Sequence, residues 1–312
     1  MIPKLNELLE HQTTIVLGAG ASKDYGFPLW NDLKTDLIEE LNKGTHNIKD
    51  EKAKDWWRDA LENMSENDTI DRIATEASED YFKVFQILLS YVICNYENRD
   101  FLSGNSGWIE IFAERFFELL EAANSDSEKI KNLLQNLKIV TLNYDRAFDY
   151  RFYGIVQKRL QSILTKPREF QKHYEPIFEK ACIVYHPHGS LGGSGSKEFS
   201  IPHSYTYLNR NSLPGIDYGN SGDLRRSIDQ GIMPPILPVD DLLEADNGTY
   251  NEVNNFLNNS RYAICIGLSE NGIKNSALDF SKIDKVYYSG NTKVEDNFEP
   301  LNLRASEIIE ML

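Results

Sequence analysis

The sequence predicts an α/β protein in which a doubly wound parallel sheet carries an all-helical insertion. Short segments with the pattern of buried strands alternate with stretches of helical periodicity, which is typical of parallel strands covered by helices on both faces. The first apolar segment, residues 13–17, runs directly into a glycine-rich turn, as in nucleotide-binding βα units. Residues 44–137 show helical spacing and no strand pattern. We therefore expect a Rossmann-like core over residues 1–43 and 138–312, with residues 44–137 as a helical insertion within it.

The predicted elements of the core follow a regular order. A short helix over residues 4–11 should precede the first strand. Ser22 is well placed to be the N-cap of the next helix, and the segment Gly26–Trp30 should end that helix early. Further helices are expected after the second strand, before the fourth strand and at the carboxyl end. The five predicted strands are residues 13–17, 138–141, 182–185, 262–267 and 285–288.

Aromatic and aliphatic residues recur at spacings of three and four along the insertion, which predicts amphipathic helices. Trp57, Phe85, Phe112 and Phe116 are examples. Such a stripe has two interpretations: it could line a cofactor-binding site, or it could form an ordinary helical core. Core packing is the favoured one, because aromatic side chains are the usual filling of helix interfaces.

The charge balance argues against several classes of partner. The 312-residue chain has 48 acidic and 33 basic residues, which gives a net charge of -15. This excess repels a phosphate backbone and an anionic membrane surface, so we expect neither general nucleic-acid binding nor membrane association. The amino-terminal segment has no apolar core and no apolar run reaches about 18 residues, which predicts a cytoplasmic protein.

Cysteine usage argues against disulfides and structural zinc. The three cysteines, Cys94, Cys182 and Cys265, are far apart in the chain and form no C-x-x-C pair. Neither a disulfide framework nor a zinc ribbon is therefore expected, and we assign no metal ligands.

Unusual residues follow four of the predicted strands, where ligands bind in sheets of this kind. They are Gly18 to Ser22, Asn143-Tyr144-Asp145, His188-Gly189, and Gly267-Leu268-Ser269. Each has an ordinary alternative: a tight turn without a ligand, a helix cap at Asn143 or Asp145, or a surface histidine. His186 competes with His188 for the role of general base, and the adjacent Gly189 favours His188.

The glycine loop differs from two common nucleotide-binding patterns. Gly18 permits a tight turn, and Gly20 would let the backbone approach a pyrophosphate at a helix N-terminus. The third glycine of a dinucleotide fingerprint would fall at Lys23, however, and no acidic residue ends a second strand about 20 residues later. No G-K-[ST] follows either. A nicotinamide-dependent dehydrogenase and a P-loop protein are therefore both disfavoured.

Four motifs occur in a fixed order along the chain. They are Gly18-Ala19-Gly20-Ala21-Ser22, Gly26-x-Pro28-x-Trp30, Thr141-Leu142-Asn143-Tyr144-Asp145 and His188-Gly189-Ser190-Leu191. In content and order they resemble the sirtuin catalytic core, in the form found in sirtuin-like domains of bacterial antiphage defence proteins. Gly267-x-Ser269 is a weaker match. The resemblance spans residues 12–290, interrupted by the helical insertion.

The resemblance implies that NAD is the substrate and that the bond between nicotinamide and ribose is cleaved. It implies that Asn143 orients water and the ribose hydroxyls, that His188 is the base, and that Asp145 lies near nicotinamide or holds the loop. The NAD-binding residues that it implies are Gly18, Ala19, Gly20, Ala21, Ser22, Pro28, Trp30, Thr141, Gly189, Gly267 and Ser269.

One departure from the family affects the expected reaction. Zinc-bearing sirtuins carry a four-cysteine module after the H-G motif, whereas here no cysteine follows Gly189 until Cys265. This favours an NAD hydrolase that releases nicotinamide and ADP-ribose and depletes NAD in antiphage defence. An NAD-dependent deacylase, an ADP-ribosyl transferase and a non-catalytic NAD-sensing or ADP-ribose-sensing module are the alternatives. The resemblance also implies control by homo-oligomerisation or by a separate partner, such as an ATPase encoded in the same operon.

Overall fold

Six parallel strands form the central sheet in the part of the chain that the structure describes. This structure, a computed structural model, describes residues 2–44, 48–65, 70–103, 106–123, 126–163, 184–188, 191, 218–229, 236, 248–274, 276, 278–291 and 294–312. The strands are β1 (Thr13–Leu17), β2 (Leu137–Thr141), β3 (Val184–Tyr185), β4 (Tyr262–Ile266), β5 (Lys285–Tyr288) and β6 (Phe298–Pro300). Their spatial order is β3-β2-β1-β4-β5-β6, and every neighbouring pair is parallel. This is the order of a doubly wound sheet, so the predicted fold class is confirmed.

Four predicted strands match the observed ones to within one residue, and the described part of β3 lies within the fifth. Residues 182–183, which complete that prediction, lie outside the described residues. The sixth strand was not predicted. It has three residues, only Phe298 is buried, and it ends at Pro300, so it lacks the neighbouring buried apolar residues that mark the other strands.

Helices connect the strands on both faces of the sheet. In chain order they are α1 (Leu5–Leu8), α2 (Ala19–Ser22), α3 (Trp30–Lys43), α4 (Glu51–Glu62), α5 (Ile70–Glu76), α6 (Glu79–Ser103), α7 (Trp108–Ala122), α8 (Ser127–Asn136), α9 (Ala147–Ile163), α10 (Ser221–Asp229), α11 (Gly248–Asn259), α12 (Glu270–Lys274) and α13 (Ala305–Met311). None of the helices in the described part of the chain combines the length and the hydrophobicity that a membrane span needs.

Alternate residues of the strands face two separate hydrophobic layers. Ile15, Ile139 and Ile264 pack into one core with α7, α9 and α13. Val16 and Val140 point to the opposite face, into a second core that includes α11. All five residues of β1 and of β2 are buried, which explains why three of the five residues in each strand are aliphatic.

The helices of residues 44–137 divide between two cores. Helices α3 to α6 supply most of a separate hydrophobic cluster, which also includes Tyr144 and Leu224 and in which Trp57 stacks on Phe85 with ring centroids 4.9 Å apart. Phe112 and Phe116 of α7, by contrast, belong to the core of the sheet. The aromatic stripe is therefore core packing, as the favoured interpretation had it. The division of the chain into a core and one insertion over residues 44–137 stays a prediction.

One local prediction is wrong. Helix α2 starts directly after β1 and has the extended Gly18 as its N-cap, so Ser22 is the last residue of that helix rather than its cap. The helix does end early, as expected. Lys23–Tyr25 form a single 3-10 turn, and Gly26 closes that turn with φ = 81°, a left-handed conformation that favours glycine.

Candidate active site

The loops that follow β1, β2, β3 and β4 lie side by side at one edge of the sheet. These four strands are neighbours in the order β3-β2-β1-β4 and run in the same direction, so their carboxyl ends meet. The residues singled out from the sequence as strand-end motifs are thereby collected at one place. Because Gly189 and Ser190 lie outside the described residues, the third motif is seen only at His188 and Leu191.

Asn143, Ser22 and Asp145 form a buried hydrogen-bonded chain between the β1 and β2 loops. The Asn143 amide nitrogen donates to the main-chain oxygen of Gly18 at 3.0 Å and to Ser22 Oγ at 3.1 Å. The Ser22 hydroxyl in turn donates to Asp145 Oδ1 at 3.1 Å. The Thr141 hydroxyl accepts the main-chain N–H of Asn143, at 3.2 Å. The Asn143 side chain is thus held by both loops before any ligand binds.

Asp145 belongs to this hydrogen-bonded chain and also lies two residues before the first residue of α9. Its Oδ1 also accepts the Ala147 N–H at 3.0 Å, which is the capping interaction that the sequence allowed. Burial raises the pKa of Asp145 to about 6, although the hydrogen bonds from Ala147 and Ser22 act in the opposite direction. A structural role for this carboxyl is therefore visible in the contacts, whereas contact with nicotinamide stays a prediction.

His186 is held by two oxygen acceptors. Its Nε2 lies 2.9 Å from Asp149 Oδ2 of α9, and its Nδ1 lies 3.4 Å from the main-chain oxygen of Asn143. Burial alone would lower the pKa of His186, but the charge and hydrogen bond of Asp149 outweigh burial and raise it. Both ring nitrogens of His186 already have hydrogen-bond partners. His186 is therefore poorly suited to the role of general base, for which the sequence left it in competition with His188.

His188 has the opposite environment. It is 5% exposed, and its Nε2 has no hydrogen-bond partner among the described residues. The ring sits edge-on to Tyr144, with centroids 6.0 Å apart. Burial, and to a lesser extent the charge of His186, lower the pKa of His188 to about 4. At neutral pH this imidazole is therefore uncharged and keeps a free nitrogen lone pair or N–H.

The glycines of the first loop serve a close approach between β1 and β4. Gly18 N donates to Ile266 O at 2.9 Å, and Gly20 N donates to Gly267 O at 3.0 Å. Gly267 has φ = 70°, and a Cβ there would overlap the Ala21 main chain. A Cβ on Gly20 would lie 2.9 Å from the Gly267 Cα. The glycines thus leave room for the loop that follows β4. The N–H groups of Gly18 and Gly20 are already bonded within the fold and do not face a pyrophosphate.

The remaining sequence-predicted residues are spread around this edge. Ala19 is half-buried and Ala21 is buried, both within α2. Pro28 is half-buried in the turn before α3, and Trp30 is the first residue of α3, with a side chain outside the described part of the chain. Ser269 is exposed, and its hydroxyl accepts the Gly272 N–H at 3.0 Å at the start of α12. Its visible role is that of a helix cap.

A buried ionic network next to the site was not predicted. Arg146 directly follows Asp145 and pairs with Glu97 of α6, and both side chains are fully buried. Nearby, Arg151 pairs with Asp100 and Glu110, and the Tyr218 hydroxyl donates to Asp100 at 2.7 Å. The only sequence signal was an arginine immediately after a strand-end motif, because nothing local marks Glu97 as its partner.

No group of three or more histidine, cysteine, aspartate or glutamate side chains is arranged to hold a metal ion in the described ranges. That the site holds no zinc stays a prediction, because Cys182 and much of the segment after Gly189 lie outside these ranges.

Comparisons with known proteins add little to this geometry. No protein-family model matches the chain, and no curated protein matches it. One similar solved structure is that of the sirtuin Sir2Tm bound to a propionylated peptide. It shares 14% identity with the chain, with 98% of this chain and 94% of that chain covered and a TM-score of 0.36. A superposition this loose carries no argument, so the functional assignment depends on the residues at the sheet edge and on the motifs in the sequence.

Proposed function

We propose that the chain is an NAD glycohydrolase, which cleaves the nicotinamide–ribose bond with water to give nicotinamide and ADP-ribose. The observation that carries the proposal is the environment of His188. A buried ring nitrogen without a partner is unusual, because leaving a buried polar atom unpaired costs about 1–3 kcal/mol. Such a nitrogen at the carboxyl edge of a doubly wound sheet fits a group that waits for a ligand.

The second support is the position of Asn143. Its side-chain nitrogen is fixed by Gly18 and Ser22, so the orientation of its amide is settled before substrate binds. Preorganised dipoles of this kind stabilise developing charge without reorganising during the reaction. The motifs at Gly18–Ser22, Thr141–Asp145 and His188 are also those that resemble the sirtuin core.

The proposed reaction needs positioning and a weak base rather than a strong nucleophile. The C–N bond to ribose breaks with its electron pair going to the pyridinium nitrogen, which leaves as neutral nicotinamide. An oxocarbenium-like ribose results, which water attacks at the anomeric carbon. The proton released from water goes to His188 Nε2, which is neutral at physiological pH because its pKa is about 4. Asn143 would orient that water and the ribose hydroxyls.

We further propose that the activity acts in the cytoplasm, where it would deplete NAD in bacterial antiphage defence. It would be held in check by homo-oligomerisation or by a separate partner such as an operon-encoded ATPase. These parts of the proposal are supported by the sequence resemblance alone. Co-expression with the genomic neighbours, followed by measurement of cellular NAD during phage infection, tests them separately from the chemistry.

The chemistry is tested with the purified chain. It is incubated with NAD, alone and with the products of its genomic neighbours, and nicotinamide is followed by chromatography. Asn143→Ala and His188→Ala should each abolish nicotinamide release while leaving the circular dichroism spectrum unchanged. His11→Ala is the matched control, because His11 precedes β1 at the opposite end of the strand and contacts Arg261. It should retain full activity.

Three results would count against the proposal. Full activity in both site variants would refute the assignment of the site. Nicotinamide release only when an acylated peptide is present would indicate a deacylase. Calorimetric binding of NAD with no nicotinamide release under any of these conditions would indicate a sensing module.

A further inference from the structure

His186 lies between two groups that can only accept hydrogen bonds. The Asp149 carboxylate faces Nε2, and the main-chain oxygen of Asn143 faces Nδ1 at the longer distance of 3.4 Å. A neutral imidazole has one N–H and one bare nitrogen, so it could satisfy only one of these acceptors and would turn a lone pair toward the other. Both contacts are favourable only when the ring carries both protons.

The burial of the pair supports the same charge state. Asp149 is 3% exposed and His186 is 4% exposed. A buried carboxylate is costly unless a hydrogen-bonded cation accompanies it. The charge of Asp149 is also the main influence that raises the pKa of His186 against the effect of burial. An imidazolium and a carboxylate therefore form a neutral, closed pair between the β3 loop and α9.

We propose that His186, held as an imidazolium between Asp149 and the Asn143 carbonyl, is a positioning residue: it fixes the loop that carries Asn143 and keeps His188 unprotonated. The catalytic part of this inference rests on the proposed NAD hydrolysis, whereas the charge state of His186 does not. His186 touches neither water nor substrate in this role. It acts through the main chain of one proposed catalytic residue and through the charge felt by the other.

The electrostatic part follows from which charged groups face each histidine. His186 faces Asp149 from α9 and, less closely, Asp145 from the loop after β2, and its cationic form is favoured by both. His188 feels burial and the charge of His186. Protonating His188 would place two cations two residues apart inside the protein, so the charge on His186 adds to the effect of burial in keeping His188 unprotonated before substrate binds.

The first test reads the charge state directly and needs no substrate. Nitrogen-15 NMR of the full chain, labelled at histidine, distinguishes doubly protonated from neutral imidazoles, and His186→Gln and His188→Gln spectra assign the two signals. We expect His186 to be doubly protonated and His188 neutral at pH 7.5. A neutral His186 in the wild-type protein would overturn the inference, whether or not the chain turns over NAD.

The second test removes the charge while keeping the shape. Asp149→Asn retains an acceptor oxygen toward His186 but no negative charge, so His186 should become neutral in the NMR spectrum. The acid limb of the pH profile for nicotinamide release should then move to higher pH by about one unit. Turnover should fall more than the affinity for NAD, since the loop of Asn143 is loosened. Asp50→Asn is the control, because Asp50 caps α4 and asparagine is an equally good cap.

The outcomes separate this inference from the proposed function. No nicotinamide release from the wild-type chain under any condition would defeat the proposed function and leave the NMR result to judge the charge state of His186. An acid limb that stays in place in Asp149→Asn, although NMR shows His186 to be neutral, would overturn the electrostatic role. Equal effects in Asp149→Asn and Asp50→Asn would overturn the positioning role as well.

Discussion

Replacing Glu97 by alanine should destabilise the protein strongly, although Glu97 lies on a helix distant in sequence from the candidate site. Glu97 accepts three hydrogen bonds from Arg146: from Nη2 at 2.6 Å, from Nε at 2.9 Å and from the main-chain nitrogen at 3.3 Å. It also accepts the Gly219 N–H at 3.1 Å. Both charged side chains are fully buried. Alanine would leave the guanidinium of Arg146 without its counter-charge inside the protein.

The expected size follows from these contacts. Breaking a buried ion pair by removing one partner costs about 3–5 kcal/mol, because the remaining charge is desolvated without compensation. An unfolding entropy of about 2.1 cal/mol/K per residue gives about 0.66 kcal/mol/K for a chain of 312 residues. The loss in the melting temperature of Glu97→Ala is therefore about 5–8 °C.

Thermal unfolding followed by circular dichroism at pH 7.5 measures this effect. The matched control is Glu114→Ala, which breaks a 2.8 Å pair with Arg159 whose side chains are 39% and 52% exposed. That variant should melt with the wild-type protein, since solvent screens the pair. The double variant Glu97→Leu with Arg146→Met should be more stable than Glu97→Ala alone, because neither charge of this pair remains buried. Equal shifts for Glu97→Ala and Glu114→Ala would refute the reasoning.

Four further predictions concern the strand-end loops and helix α9. Gly267→Ala should lower the melting temperature or prevent soluble expression, because φ is 70° and a Cβ would overlap the adjacent loop. Gly154→Ala, at an open helical position, should instead raise stability by about 0.5–1 kcal/mol in the same melts. Ser22→Ala should lower the turnover number for nicotinamide release about tenfold, which corresponds to one lost hydrogen bond of about 1–1.5 kcal/mol; an unchanged rate would show that the bonds of this hydroxyl are dispensable. The pKa of His188 is about 4 in the folded protein, below its ordinary value of 6.5. As the pH falls from 6.5 toward 4, the unfolded chain therefore takes up a proton at this histidine before the folded protein does. The free energy of unfolding should decrease over this range by about 3 kcal/mol in full. His188→Gln should therefore lose less melting temperature than the wild-type protein between pH 7 and pH 4.5.

Local sequence patterns were sufficient for most of the sheet and for the place of the site. A strand buried on both faces is rich in apolar residues, so β1, β2 and β4 could be located from composition. Because parallel strands end at a common edge, the motifs that follow them could also be assigned to one place. β6 escaped because an edge strand of three residues, with one of them buried, leaves no such pattern.

The choice between His186 and His188 could not be made in this way. The two residues stand two positions apart, on the same strand end, and the sequence favoured His188 only through its neighbour Gly189. What distinguishes them is that Asp149 of α9 reaches His186 and that no described group reaches Nε2 of His188. The partner of Arg146 could not be identified from a local pattern either, because Glu97 lies 49 residues earlier in the chain.

The sequence by itself determined five of the six described strands, the glycine-rich turn and the set of polar residues at the sheet edge, because each depends on neighbours within a few positions along the chain. Only the tertiary structure decided which of those residues are bonded to one another and that no described residue is bonded to His188 Nε2. Ser22 meets Asn143, and Gly20 meets Gly267, across separations of more than 100 residues. Hydrogen bonds and burial set the charge of each group, and both are properties of the folded packing rather than of any local pattern.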